Sequence, residues 1–325
     1  MPDPTPREIH PGIFVVHLPL PMRPTIVNVT LLHSNDEWAL IDTGINTQDS
    51  LDTLGAALTL VGCSFDKLDK IISTHHHPDH YGASQALRER GAATIHLHQR
   101  EHAASQHWGP GALGEETVKF FEQHGIPMQR FGYIPSPGEF WRQLYAPAVP
   151  DGFIDDGDVI RVGSFELEVV TTPGHTPGHC VFYLRREKVM IAGDHLLPKI
   201  TPHVGLYPGG PENPLADFID SQRKVQSYNV ALVLPAHGGV FSDHRRRAEQ
   251  IIQHHHYRLQ EMLDIVKRQP HTAYEVASLA WGFGIDASLA MQIPATFEAI
   301  AHLEYMRALG TVVREDTDVT RYRAG

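Results

Sequence analysis

The first half of the chain carries short apolar runs typical of strands and longer stretches with helical spacing. Strands are predicted at residues 13–20, 26–34, 38–41, 67–73 and 92–97. Helices are predicted at residues 51–61 and 81–90, and Gly91 is expected to end the second of them in a left-handed conformation. Because strands and helices alternate, the pattern predicts an α/β fold.

The second half returns to strands before the pattern becomes helical. Strands are predicted at residues 158–162, 165–170, 180–184, 188–192 and 230–234. A helix with Asn213 as its N-cap and Pro214 in its first turn precedes the last of these strands. After Asp243, helices are predicted at residues 259–266, 272–281 and 296–309, followed by two short strands within 311–323. Thr272 and Glu275 fit a capping box at the start of the middle helix.

The periodic pattern is lost between residues 99 and 150. Helix-like pieces at 115–124 and 137–145 lie among Gly, Pro and aromatic residues such as Trp108 and Phe131. A long irregular segment in a compact domain usually has a functional role or is mobile. We interpret residues 99–150 as a lid over a site, with a buried helical insertion as the alternative.

The densest group of metal-binding side chains is the sequence THHHPDH, which begins at residue 74. On extended backbone, side chains two residues apart share a face, so His75 and His77 converge while His76 points away. A proline then breaks the strand, and Asp79 and His80 turn back from a new direction. Some clustering is expected by chance in a chain with 23 His, but this loop offers two pairs of ligands.

Three later segments place further candidate ligands at predicted strand ends, where ligands collect in α/β sheets. The segment PGHTPGH contains His175 and His179, GDH contains Asp194 and His195, and PAHGG contains His237.

Together these segments resemble the metal-binding signature of the metallo-β-lactamase superfamily. The resemblance implies a four-layer αββα sandwich as the catalytic domain, which we place at residues 1–242 with 99–150 inside it. The C-terminal pattern of helices and a hairpin resembles the branch of the superfamily that carries a winged-helix extension. We place this small helical, winged-helix-like domain at residues 243–325.

The resemblance also implies two adjoining metal ions. Their expected ligands are His75, His77 and His175 for the first ion, Asp79, His80 and His237 for the second, and Asp194 as the bridge. Five imidazoles and two carboxylates suit Zn²⁺ and tolerate Mn²⁺ or Fe²⁺. Asp42, at the end of a predicted strand, is expected to support the metal loop without binding metal. We do not expect His76, His179 or His195 to be ligands, since each adjoins a better-placed residue.

Two cations about 3.5–4 Å apart can share a hydroxide and hold both the attacking and the accepting oxygen. We therefore expect a binuclear hydrolase that uses a metal-bridging hydroxide on a small ester, thioester or lactone, with Asp79 orienting the hydroxide. His203 and Tyr207 follow Asp194 in a Pro/Gly-rich loop and are candidates for contacting the substrate, an ordinary surface loop being the alternative. Homoserine-lactone hydrolases carry Tyr where this chain has Leu197, which counts against that activity.

Two other functions stay open. Members of the winged-helix branch act on RNA, so a single-strand endoribonuclease is the first alternative. An iron-dependent oxidoreductase is the second, although diiron reductases usually carry Glu where this chain has His77.

The charge distribution favours a small-molecule substrate over nucleic acid. Residues 243–325 carry ten Lys/Arg against eleven Asp/Glu, a net charge of −1 in a chain of net charge −11. A module that binds along a nucleic-acid backbone normally has a basic face, and this segment lacks an excess of positive charge, although Arg314, Arg321 and Arg323 are candidates for a small basic patch. We therefore expect the extension to pack on the catalytic domain or on a second subunit, which leaves a homodimer open.

The remaining composition is that of an ordinary globular protein, with 42% apolar and 20% charged residues in a chain of 325. The N-terminal residues lack the apolar region of a signal peptide, and the sequence has no long apolar run, so no membrane association is expected. Cys63 and Cys180 are too few for a disulfide framework. These features predict a cytoplasmic protein.

Overall fold

The computed structural model describes residues 3–106, 115–128, 144–284 and 286–325. The strands are β1 (Arg7–His10), β2 (Ile13–Pro19), β3 (Ile26–Ser34), β4 (Glu37–Ile41), β5 (Lys70–Ile72), β6 (Thr94–His98), β7 (Gly152–Ile154), β8 (Val159–Val162), β9 (Phe165–Thr171), β10 (Cys180–Leu184), β11 (Val189–Gly193), β12 (Leu232–Pro235), β13 (Val312–Glu315) and β14 (Arg321–Ala324). The helices are α1 (Gln48–Leu60), α2 (Pro78–Tyr81), α3 (Ser84–Arg88), α4 (Gln99–Ser105), α5 (Glu115–Gln123), α6 (Pro214–Gln226), α7 (His244–Val266), α8 (Ala273–Trp281) and α9 (Leu289–Ala308).

The strands before residue 155 form a seven-stranded sheet in the order β1 to β7. Strands β1 to β4 are antiparallel neighbours, whereas β4 to β7 run parallel to one another. The loops that follow β4 and β5 therefore leave the sheet at the same edge, which brings the residues after Ile41 close to those after Ile72.

The strands between residues 159 and 235 form a five-stranded sheet in the order β12-β11-β10-β9-β8. Strand β10 is antiparallel to both β9 and β11, and β11 is parallel to β12. As a result β9, β11 and β12 point the same way, and the three loops that follow them meet at one edge of this sheet.

The two sheets and the helices on their outer faces form four layers, and buried apolar side chains pack between these layers. Side chains of both sheets, including Ile41 and Phe182, fill the space between the sheets. Leu54 of α1 packs in the cluster on the outer face of the seven-stranded sheet. Phe218 of α6 and Ile252 of α7 pack in the cluster on the outer face of the five-stranded sheet. The predicted α/β sandwich is thus confirmed.

Helices α7 to α9 and the β13–β14 hairpin share a further apolar cluster. It includes Met262 and Val266 from the predicted stripe on α7, and also Phe121 and Ile126 from the segment 115–128. Part of the predicted lid or insertion therefore packs against the C-terminal helices. Residues 107–114 and 129–143 of that segment lie outside the described residues. The domain boundary after residue 242 and the winged-helix assignment stay predictions.

The single helix predicted at residues 81–90 is wrong, because the chain turns between α2 and α3. The Ala83 N–H donates to the Gly44 carbonyl at 3.1 Å, which ties this turn to the loop after β4. Gly91 is not in the left-handed region that was predicted for it. A Cβ at this position would clash with the Phe65 carbonyl, so close approach of two backbones is what requires the glycine.

Two short edge strands were not predicted. Strand β1 pairs with β2 at one edge of the seven-stranded sheet, and β7 pairs with β6 at the other. Both are short, and β1 has the sequence REIH without a continuous apolar run, so the sequence pattern gave no strand signal. No helix in the described ranges has both the length and the apolar character needed to cross a membrane.

The capping box predicted at α8 is confirmed and provides a stability test. The Thr272 hydroxyl accepts from the Glu275 N–H at 3.1 Å, and the Glu275 carboxylate accepts from the Thr272 N–H at 2.8 Å. We expect Thr272→Ala to lower the free energy of unfolding by about 1 kcal/mol, measured by urea denaturation. Ser288→Ala is the matched control, since Ser288 is the N-cap of α9 but makes no capping hydrogen bond through its side chain. Equal losses in the two variants would contradict the capping role of Thr272.

Candidate metal centre

The first group of ligand atoms comes from the loops after β5, β9 and β11. His75 and His77 approach each other as predicted, with His75 Nε2 3.0 Å from His77 Nδ1. His175 brings its Nε2 to 3.1 Å from the same nitrogen of His77. One ligand atom from each of these residues and one from Asp194 lie within 4.8 Å of one another.

The second group comes from α2 and from the loop after β12. His237 Nε2 lies 3.2 Å from Asp79 Oδ2, and His80 Nε2 lies 3.6 Å from the same oxygen. Asp194 lies between the two groups. Its Oδ2 is 3.5 Å from His175 Nε2 in the first group. Its Oδ1 is 3.6 Å from His80 Nε2 and 3.5 Å from His237 Nε2 in the second.

These separations fit metal ions between the atoms. Bond lengths of about 2.0–2.1 Å around a tetrahedral Zn²⁺ place its ligand atoms about 3.3–3.4 Å apart, and the observed separations of 3.0–3.6 Å cluster around that value. His80 Nε2 and Asp194 Oδ1 are buried and have no hydrogen-bond partner among the described residues. Buried polar atoms without a partner are costly, and a cation among them satisfies both. The residues present therefore fit divalent metal ions.

Burial sets the charge of the first group. It lowers the pKa of His75 and His77 well below the usual value, and the neighbouring imidazoles lower it further. Burial also lowers the pKa of His175, with a partial offset from the Asp194 carboxylate. These rings are consequently neutral at pH 7, the form in which imidazole binds a metal.

The second group behaves differently because it holds more negative charge. Burial by itself lowers the pKa of His80, but the carboxylates of Asp79, Asp194 and Asp42 outweigh burial and raise that pKa well above its usual value. Burial likewise lowers the pKa of His237, and Asp194 and Asp79 again outweigh it. The carboxylates around His80 and His237 thus stabilise positive charge, which either protons or a divalent ion can supply.

Asp42 fixes the loop that carries His75, His77 and His80 through its side-chain bonds, and its supporting role at a metal site stays a prediction. Its Oδ1 accepts from the Thr74 N–H at 2.8 Å, and its Oδ2 accepts from the Thr74 hydroxyl at 2.9 Å. The same Oδ2 lies 2.9 Å from His80 Nδ1, which leaves His80 Nε2 facing the second group. Asp42 itself has a φ of 63°, a left-handed conformation that costs about 1–2 kcal/mol in a residue with a Cβ. The three side-chain bonds offset that strain.

Glu101 is a site residue that the sequence analysis missed. It is fully buried in α4 and connects the loops after β5 and β9, two of the three loops that carry the first group of ligands. Its Oε2 accepts from the His76 N–H at 2.8 Å and lies 2.5 Å from His76 Nδ1. Its Oε1 accepts from the Gly178 N–H at 2.5 Å. No local motif marks Glu101, because its partners are 25 and 77 residues away.

His179 and His195 lie outside the two groups of ligand atoms, as predicted. His179 Nε2 accepts from the Asp194 N–H at 3.2 Å, and its Nδ1 lies 2.9 Å from the Thr172 hydroxyl. His179 therefore fixes the backbone that carries Asp194. His195 is fully buried, and its carbonyl accepts from the Gln222 amide at 2.8 Å.

His203 lies beside the centre and Tyr207 lies beside His203, but the His203 ring already has a protein partner. The His203 carbonyl accepts from His175 Nδ1 at 2.7 Å and so orients that imidazole. The His203 ring donates from Nε2 to the Pro294 carbonyl at 3.0 Å. The Tyr207 ring lies 4.3 Å from the Phe297 ring, and its hydroxyl is 3.4 Å from His203 Nδ1. Substrate binding by His203 and Tyr207 stays a prediction.

Comparison with known proteins supports this interpretation. The family model described as "Metallo-beta-lactamase superfamily" matches residues 22–237. The crystal structure of a metallo-beta-lactamase family protein from Thermus thermophilus has a TM-score of 0.87 and 34% identity, and covers 98% of this chain and 100% of that chain. The probable metallo-hydrolase YqjP of Bacillus subtilis is 22% identical over 91% of this chain and 92% of its own length. The atrochrysone carboxyl ACP thioesterase of Aspergillus fumigatus is 25% identical over 56% of each chain.

The chain therefore belongs to the metallo-β-lactamase superfamily, and it is a hydrolase of that fold. The resemblance inferred from THHHPDH is confirmed at the level of the family.

Glu101 provides a test of how the two loops are held together. In Glu101→Gln one carboxylate oxygen becomes an NH₂ group, which cannot accept a hydrogen bond. The remaining amide oxygen can accept from the His76 N–H or from the Gly178 N–H, but the other N–H group loses its acceptor. We expect the variant to lose about 2 kcal/mol of unfolding free energy in urea denaturation. Glu37→Gln is the control, because the Glu37 carboxylate is 45% exposed and water screens its ion pair with Lys70, so its loss is expected to change stability little. A Glu101→Gln variant as stable as the control would show that this connection is unimportant.

Proposed function

We propose that the protein is a binuclear metal-dependent hydrolase that acts on a small ester, thioester or lactone. The observation that carries the proposal is the position of Asp194, with one oxygen near each group of ligand atoms. A carboxylate shared in this way is suited to hold two cations together, since its charge offsets their mutual repulsion.

The ligand assignment follows from the two groups of atoms. The first ion is assigned to His75, His77 and His175, the second to Asp79, His80 and His237, and the bridge to Asp194. Zn²⁺ is the ion that this set of imidazoles and carboxylates suits best. When bound, such ions polarise a substrate carbonyl and lower the pKa of water.

Asp79 is the residue that we assign to positioning the attacking water. Burial raises the pKa of its carboxyl group, but the imidazoles of His80 and His237 outweigh burial and keep the pKa below the usual value. Asp79 is therefore ionised at neutral pH, and its side chain is 23% exposed, so water reaches it. An ionised carboxylate accepts a hydrogen bond from the water, takes the proton of that water as its oxygen attacks the carbonyl carbon, and returns the proton to the departing oxygen or sulfur.

The charges of the C-terminal hairpin support a small substrate. Arg314 pairs with Asp316 at 2.7 Å, Arg321 with Glu275 at 3.2 Å, and Arg323 with Glu315 at 2.5 Å. The candidate basic patch is thus neutralised within the protein, whereas binding along a phosphate backbone needs an excess of positive charge. One similar protein is named a thioesterase, which also supports an acyl-transfer reaction with water.

A cytoplasmic location is part of the same proposal. Cys63 and Cys180 are both buried and free, so the fold needs no oxidising compartment. A homodimer stays a prediction.

The bridging role of Asp194 has a direct test. Asp194→Asn keeps the shape but removes the charge between the two ions, so we expect lower zinc content and at least a hundredfold loss of hydrolysis, about 3 kcal/mol in the barrier. Zinc is counted by elemental analysis and the rate is measured at saturating substrate. Asp220→Asn, on the exposed surface of α6, is the control and should match the wild type. Unchanged zinc content and rate in Asp194→Asn would show that Asp194 does not bridge two ions.

The substrate class is tested by comparing ester, thioester and lactone panels with single-stranded RNA at low salt. We expect turnover of at least one small acyl compound, no RNA cleavage, and loss of turnover after chelation. The His77→Ala protein identifies contaminating activity, since it lacks a proposed ligand. RNA cleavage that disappears in His77→Ala, together with no turnover of the panel, would replace the small-molecule proposal with the endoribonuclease.

A further inference from the structure

A separate group of metal-binding side chains lies between α7 and α9. It consists of His255 from α7 with Glu298 and His302 from α9, and one ligand atom from each lies within 4.8 Å of the others. Glu298 and His302 are four residues apart in one helix, so both side chains lie on the same face. His255 and His302 are fully buried, whereas Glu298 is only partly covered.

The protons of this group cannot be distributed without leaving a nitrogen unsatisfied. His302 Nδ1 lies 2.7 Å from the Glu298 carbonyl, which only accepts, so Nδ1 carries the proton and the neutral ring presents a lone pair at Nε2. That Nε2 lies 3.1 Å from His255 Nδ1. If His255 Nδ1 carries a proton, it donates to His302, but His255 Nε2 is then bare. If the proton is on Nε2 instead, two lone pairs face each other.

Either arrangement is costly, because His255 Nε2 is buried and has no hydrogen-bond partner among the described residues. Protonating both rings is no solution, since burial lowers the pKa of His302 to about 4 and that of His255 well below its usual value. A cation between His255 Nδ1 and His302 Nε2 accepts a lone pair from each, so these two nitrogens no longer face each other as lone pairs and need no shared proton, and the His255 proton then lies on Nε2.

The spacing and the charge fit such a cation. His255 Nδ1 and His302 Nε2 are 3.1 Å apart, the same distance as between His175 Nε2 and His77 Nδ1 in the centre described above. Burial also raises the pKa of Glu298 to about 7, which outweighs the opposing effect of Arg258, so among the described residues this carboxylate has no strong counter-charge. A divalent ion supplies that charge.

We propose that His255, Glu298 and His302 bind a further divalent ion, independent of the binuclear centre. Two imidazoles and one carboxylate are a known zinc ligand set, and water completes the coordination. The site fastens α7 to α9 one turn away from Pro294, whose carbonyl accepts from the His203 ring. Because the His203 carbonyl orients His175, an ion here stabilises the C-terminal helices where they support the catalytic loops. The assigned role is structural.

The test is zinc content and thermal stability, without any activity assay. Chelator-treated protein is loaded with Zn²⁺, desalted and analysed for zinc per chain. We expect Glu298→Gln and His255→Gln each to hold about one equivalent less than the wild type, and to show a smaller rise in Tm on adding Zn²⁺. His256→Gln is the matched control, because His256 is the exposed neighbour of His255 outside the cluster. Circular dichroism of the metal-free variants establishes that they are folded, and His302→Gln replaces either one that is not.

The outcomes separate this site from the binuclear centre. We expect the zinc losses of Asp194→Asn and Glu298→Gln to add in the double variant, since the two sites are independent. If Asp194→Asn loses no zinc while Glu298→Gln does, the binuclear proposal fails and the present one stands. Wild-type zinc content in both Glu298→Gln and His255→Gln, or an equal loss in His256→Gln, would overturn the proposal.

Discussion

The bonds of the Asp42 carboxylate are the constraint on which the catalytic centre depends. They fix the start of the metal-ligand loop through the Thr74 N–H and hydroxyl, and they fix its end through the His80 ring. The loop between these points is then too short to rearrange freely, and its donors converge. Asp42 occupies a left-handed conformation to do this, which makes the strain at the end of β4 part of how the site is built.

The second requirement is that loops from two different sheets stay together. Glu101 meets it by accepting hydrogen bonds from N–H groups of both loops. Within the five-stranded sheet, His179 accepts a hydrogen bond from the Asp194 N–H and fixes the backbone there. None of these groups belongs to the proposed ligands. The protein therefore uses buried polar bonds outside the centre to hold imidazoles and carboxylates close together, where desolvation and like charges would otherwise push them apart.

Much of this could be predicted from the sequence, because the signals are local. Strand ends in an α/β fold collect ligands, so THHHPDH and the later His and Asp residues indicated both the family and the placement of the donors. The features that the sequence analysis missed depend on contacts between residues far apart in the sequence. The break between α2 and α3 depends on a bond to Gly44, and the role of Glu101 depends on partners far along the chain. The contact of the His203 ring with the Pro294 carbonyl likewise arises from C-terminal packing that no local pattern encodes, while substrate binding by His203 stays a prediction.

The most direct measurement of the central claim is anomalous diffraction at the zinc edge from crystals of the metal-loaded protein. A binuclear centre predicts two peaks, one among the His75, His77 and His175 nitrogens and one beside His80 and His237, with Asp194 in contact with both. A single peak at this position, or none, would contradict the binuclear site.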